Sequence, residues 1–195
     1  MQEENFMPRP RTLSDEQLLS MVLEVIQSEG PEAATFAAVS KASGLSGSTL
    51  VQRFTTKAGM LRAALLHAWD RLDAETARLA NHVAKTPEGG IALLTGLSQD
   101  YGDNPASYAE GLMLLQEDFR DPVLRARGAA WGATLTAALA ERFSQRKDAE
   151  TIARLMLSQW QGSLLWWGFS AEGAVADYVE RELRLFLAAL EPQKN

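Results

Sequence analysis

Three times in this chain a helix-capping residue is followed at once by proline: Thr86-Pro87, Asn104-Pro105 and Asp121-Pro122. A capping side chain accepts from an orphan N–H of the first helical turn. Proline just after it needs no N–H partner and already holds the helical φ. Each pair therefore opens a helix, and the three are expected to run to about Asp100, Phe119 and Phe143. Other starts read without proline. Ser14-Asp15-Glu16-Gln17 is a capping box, stapled by Leu13 and Leu18, and Gly30-Pro31 stops the helix it opens. Thr35 caps a short helix ended by Gly44, Ser46 caps another, and Thr56 caps a long one from Lys57 to about Val83. That last helix, roughly 27 residues, would be about 40 Å long. Two more, over about 149–167 and 174–190, close the chain, with Gly168 and Ser170 in the turn between them. No alternating β-branched run bounded by turn residues occurs. The fold class is all-α.

Composition removes several functional classes. Across 195 residues, 46% hydrophobic and 23% charged, the chain has enough apolar material for a sizeable core. With no cysteine, disulfide scaffolds, thiolate metal sites and cysteine nucleophiles are excluded. The uncharged stretch from Leu155 to Ala171 falls short of the about 20 predominantly apolar residues of a bilayer span and reads as a buried helix. No secretory apolar region follows Met1, so the expected compartment is the cytoplasm. His67 and His82 have no glutamate three residues before them, as a di-iron bundle needs. Gly44-Leu45-Ser46-Gly47-Ser48 lacks the closing glycine and preceding strand of a nucleophile elbow. Phosphate and dinucleotide glycine loops are missing too. An enzyme is not expected, nor any cofactor or metal.

Net charge is −6, but it is unevenly spread. No acid occurs between Glu32 and Asp70, while Lys41, Arg53, Lys57 and Arg62 fall in that gap. A face that approaches phosphates would exclude carboxylates in this way. Within it, Phe36 to Phe54 reads as helix, the turn Gly44-Leu45-Ser46, then helix, with Ala38, Val39, Ala42, Leu45, Leu50 and Phe54 as the interior. The second helix turns Gly47, Ser48, Thr49, Gln52 and Arg53 outward. Gly47 and Ser48 permit close backbone approach, and Gln and Arg pair bidentately with adenine and guanine edges. Lys57 opens the next helix, whose first N–H groups also favour a phosphate.

Gly30, Ala34, Thr35, Phe36, Val39, Ala42, Gly44, Leu45, Ser46, Thr49, Leu50, Phe54, Lys57 and Leu61 together resemble the amino-terminal signature of tetracycline-repressor-type (TetR) transcriptional regulators. The resemblance covers about residues 14–63 and implies a nine-helix homodimer on a palindromic operator, usually a repressor released by a small molecule. The expected DNA-binding set is Thr35, Gly47, Ser48, Thr49, Gln52, Arg53 and Lys57. Val51 departs from the family, most of whose members carry a phosphate-contacting tyrosine there, and Gly59 weakens a helical turn where helix formers are usual. The expected organisation is a disordered arm over 1–12, a helix-turn-helix domain over 13–56, and a ligand-binding and dimerisation domain over 57–191. In the arm, Arg9 and Arg11 between prolines suit a minor groove.

In the carboxy-terminal part, Met156, Trp160, Leu164 and Trp167 with Val179, Leu183, Phe186 and Leu187 are expected to form the dimer bundle, because the first of these helices is apolar nearly all round. Tyr108, Met113, Gln116, Phe119 and Trp131 lie on the middle helices, where such regulators house ligands, and suit a mostly apolar effector. The alternative is a helical small-molecule-binding or interaction protein that no longer engages DNA, supported by Val51 and the net negative charge.

Overall fold

The structure, a computed structural model, describes residues 13–170 and 172–190; residues 1–12, read above as an arm, lie outside them. Nine α-helices and one short 3-10 turn, with no strand, make up the described residues. They are α1 (Asp15–Glu29), α2 (Phe36–Ser43), α3 (Gly47–Phe54), α4 (Lys57–His82), α5 (Pro87–Ser98), α6 (Pro105–Arg120), α7 (Pro122–Glu141), α8 (Ala149–Ser170) and α9 (Val175–Leu190). The chain divides into two compact units, one ending at His67 and the other beginning at Ala68. The division falls within α4, eleven residues past the domain boundary expected at 56/57. Lys57 and His67 on the first turns of α4 hydrogen-bond to Glu32 and Ser20, which ties those turns to the first unit.

The caps are where the sequence places them. Ser14 and Gln17 exchange both bonds of the capping box. Thr35 Oγ1 accepts from the Ala38 N–H, Ser46 Oγ from that of Thr49, and Thr86 Oγ1 from that of Gly89. Asn104 and Asp121 cap α6 and α7, each with its proline just inside the helix. In the first unit Leu18, Val22, Val25, Ile26, Val39 and Leu50 are buried, and Gly44 ends α2 at φ +73°, a left-handed conformation that glycine adopts without a Cβ penalty.

In the second unit α8 packs against α6, α7 and α9, and α5 against α9. Its core runs from Leu93 and Leu97 through Leu135 and Leu139 to Met156, Trp160, Leu164 and Trp167, with Val179 and Leu183 closing it. Buried indole N–H groups are satisfied inside this core: Trp131 donates to Thr76 Oγ1 at 3.0 Å and Trp160 to Ser98 Oγ at 2.8 Å. Gly168, read as part of a turn, instead sits inside α8. A Cβ there would come within 3.0 Å of the Tyr108 ring, so packing and not chain reversal requires the glycine.

Arg142, just past the end of α7, is buried. It donates to the carbonyl of Ala138 in α7 and to that of Ala80 in α4, the latter at 2.8 Å. Burial holds its guanidinium pKa below the usual arginine value, an effect that the neighbouring Glu141 opposes.

Candidate nucleic-acid interface

The first unit assembles the DNA-facing set on α2, α3 and the start of α4. Thr35 is exposed at the start of α2, with its hydroxyl oxygen engaged as the cap. Gly47 and Ser48 are exposed on the first turn of α3, and Gln52 and Arg53 on its last. A Cβ on Gly47 would meet nothing within 4 Å, so no contact inside the chain calls for glycine there. What it leaves clear is room outside the chain. The Ser48 and Thr49 hydroxyls both lie 2.8 Å from Ser46 Oγ, which fixes them against the turn. Val51 is exposed at 48% and adds an apolar patch to the same helix.

Two cations of this set have partners that no local pattern announces. Arg53 Nη1 lies 3.0 Å from Asp15 Oδ1, across 38 residues of sequence. Lys57 Nζ lies 2.9 Å from Glu32 Oε2 and donates to the Glu32 carbonyl at 2.7 Å. The acid-free gap in the sequence is thus closed in space by acids from its amino-terminal side.

The joint between α3 and α4 has unusual geometry. Thr55 sits at φ +65°, ψ −49°, and the Thr56 N–H donates to the Phe54 carbonyl at 2.6 Å. This is a γ-turn of the rare, strained kind, held here by a β-branched residue. It brings the Phe54 carbonyl oxygen against α4, where a Cβ on Gly59 would lie only 2.5 Å from it. Gly59 is therefore a matter of clearance, which explains its presence in a helical first turn.

Residues 18–64 match the model of a family described as bacterial regulatory proteins, tetR family. That segment is a tetR-family domain. The tetR-family match takes in α2 and α3 and most of α1, together with the opening turns of α4. Solved structures extend the likeness in fold to the whole chain. A transcriptional regulator from Rhodococcus sp. Rha1 is 20% identical, with a TM-score of 0.71 over 92% of this chain and 100% of that one. A putative regulator from Saccharomonospora viridis, in complex with choline, is 18% identical, with a TM-score of 0.68 over 89% and 94%. The transcriptional regulator FadR from Bacillus subtilis, in complex with stearoyl-CoA, is 12% identical, with a TM-score of 0.67 over 89% and 98%. No curated protein matches the sequence significantly. The matched family is one of transcriptional regulators, and the nine helices are arranged as in the tetR fold.

The second unit distributes the other expected site residues differently. Met156, Trp160, Leu164, Trp167, Val179 and Leu183 are buried within the single chain, and Phe186 and Leu187 pack half-buried against the same cluster. The fully buried side chains have no surface left to offer a second chain. α8 turns a different set outward: Leu155, Leu165, Trp166 and Phe169, with Leu185 on α9. Trp166 and Phe169 pack on each other, ring centres 5.8 Å apart.

The five ligand residues are likewise divided. Tyr108 and Trp131 are buried in the core, whereas Met113 and Phe119 are 60% and 67% exposed and Gln116 is exposed beside them on α6. They do not line one cavity. An open groove of about 1020 Å³ lies instead between α7 and α8, walled by Ala133, Ala137, Leu155 and Leu157 with Glu150 and Arg154 at its edges. Tyr108 has its phenol pKa raised by burial. Asp118, buried on α6, accepts from the Trp69 indole N–H at 3.0 Å. Burial pushes its carboxyl pKa up; the Trp69 bond opposes this and neighbouring Glu117 adds to it. Among the described residues no group of acids or histidines could hold a metal ion, and no helix is long and apolar enough to cross a membrane.

Proposed function

We propose that this chain is a cytoplasmic repressor of transcription that binds a palindromic operator as a homodimer and is released by a mostly apolar small molecule. The observation that carries this reading is the outward face of α3. It presents Gln52 and Arg53 beside a glycine with no internal purpose, inside the segment that matches the tetR family. In a helix-turn-helix the second helix enters the major groove, and Gln and Arg read adenine and guanine edges there. Lys57 then holds a backbone phosphate at the start of α4. The dimer uses the outward apolar residues Leu155, Leu165, Trp166 and Phe169 with Leu185, and places two reading heads on half-sites about 34 Å apart. The effector occupies the second unit, with Tyr108 and Trp131 as aromatic walls. Regulators of similar fold bound to choline and to stearoyl-CoA support a small-molecule role for this part of the chain.

The test is fluorescence anisotropy on a duplex from the DNA upstream of the protein's own gene, beside a scrambled duplex of the same composition. Gln52→Ala and Arg53→Ala should each cost about 1–3 kcal/mol on the first and less on the second. A wild type that binds neither duplex removes the DNA-binding role and favours a helical small-molecule-binding protein.

A further inference from the structure

The two ion pairs on the reading head have a common geometry. In each, the acid is far more exposed than the cation it holds: the Asp15 side chain is 84% exposed against 31% for Arg53, and Glu32 is 100% exposed against 38% for Lys57. The carboxylates therefore lie on the solvent side of the cations, where a phosphate approaching from outside would have to sit. Neither acid comes from α3 or α4. Asp15 is on the first turn of α1, and Glu32 is in the connection between α1 and α2.

We propose that Asp15 and Glu32 are stand-ins for DNA phosphate, which hold the two cations in place and set the threshold for binding DNA. This rests on the DNA-binding reading above. A carboxylate and a phosphate present the same anionic oxygens to guanidinium and ammonium groups, so the exchange conserves the hydrogen bonds of the cation. It is also achievable, because exposed pairs of this kind are weak and screened by salt. After the exchange each carboxylate is left beside the polyanion and repels it. That penalty falls on every DNA sequence alike. Non-specific binding, which is essentially all electrostatic, has nothing to set against it, whereas operator binding has the base contacts of Gln52 and Arg53. Asp15 and Glu32 are thus specificity-setting residues that never touch a base.

The test compares wild type with Asp15→Asn, Glu32→Gln and the double variant, using the same two duplexes over a series of salt concentrations. Asp15→Glu and Glu32→Asp serve as charge-keeping controls. The neutral variants should bind the scrambled duplex more tightly, roughly two- to five-fold for each pair released in each subunit. Their plots of log affinity against log salt should steepen by about one for each pair. The charge-keeping controls should follow wild type. Thermal melting checks the fold, and Glu32→Gln, outside any helix, carries the test alone if Asp15→Asn disturbs α1. Neutral variants with wild-type affinity and slope, in a protein that Lys57→Ala still weakens, overturn the threshold and leave the DNA-binding reading intact. A wild type inert toward both duplexes, with Arg53→Ala and Lys57→Ala equally inert, overturns both.

Discussion

Replacing Gly59 with alanine sets two effects of opposite sign against each other. In an unobstructed helix the change would stabilise by about 0.8–1 kcal/mol through propensity alone. Here the new Cβ would lie 2.5 Å from the Phe54 carbonyl oxygen and 3.3 Å from Thr56 Oγ1. The carbonyl must retreat by more than half an ångström, yet the Thr56 N–H holds it at 2.6 Å and Thr55 is already in a strained turn. Overpacking against such a fixed group costs about 1–3 kcal/mol, more than propensity returns. We expect a net loss of about 1 kcal/mol from the first unit, or about 4–8 °C for a domain of this size. The assay can resolve the units, because all five tryptophans, at 69, 131, 160, 166 and 167, lie beyond His67. Gly59→Ala should lower the transition seen by far-ultraviolet circular dichroism and leave the tryptophan fluorescence transition in place. A variant that melts at or above wild type would refute the argument, since the turn would then be free to yield.

Asp118→Asn keeps an oxygen for the Trp69 indole and removes the buried charge. An acid whose folded pKa is raised holds a proton in the native state that the unfolded chain releases, so stability falls as pH rises above the usual carboxylate range. The variant should therefore melt above wild type at neutral pH, with the difference closing in acid; equal melting at pH 7 would show that the carboxylate carries no penalty. Trp166→Glu alters a 63% exposed side chain, so it should leave the fold intact and give a monomer in analytical ultracentrifugation, whereas an intact dimer would move the interface elsewhere. Leu164→Glu, by contrast, buries an unpaired charge in the core of one chain and should cost several kcal/mol of stability, visible as loss of the cooperative melt.

The helix starts were legible because capping is local: Ser14, Thr35, Ser46, Asn104 and Asp121 each act within four residues of themselves. The helix-turn-helix was legible for the same reason, through Gly44 and the short apolar spacing around it. Partnership across the chain was not. Asp15 read as part of a capping box, and nothing in its surroundings points 38 residues ahead to Arg53. Periodicity also failed wherever a helix is apolar on more than one face. On α8 it could not distinguish Leu164, which is core, from Leu165, which is outward. On α6 the larger apolar residues Leu112, Met113 and Phe119 face out while Asp118 faces in, the reverse of the usual pattern, because the Trp69 indole supplies a polar partner inside. Gly59 read as a weak helix former, since the oxygen it clears belongs to a turn whose shape only the folded chain reveals.

The buried arginine beyond α7 bears on how the second unit can open. A helix end normally frays one residue at a time, because its last carbonyls exchange protein partners for water at little cost. The last turn of α4 cannot do so here. Unwinding it would take the Ala80 carbonyl from Arg142 and leave a buried guanidinium with its Nε already unpartnered. The same side chain holds the Ala138 carbonyl near the end of α7, so disturbing one end withdraws support from the other. Amide exchange should reflect this joint opening. Protection in the final turn of α4 should match that in the final turn of α7, instead of decaying toward His82 as an independent terminus would.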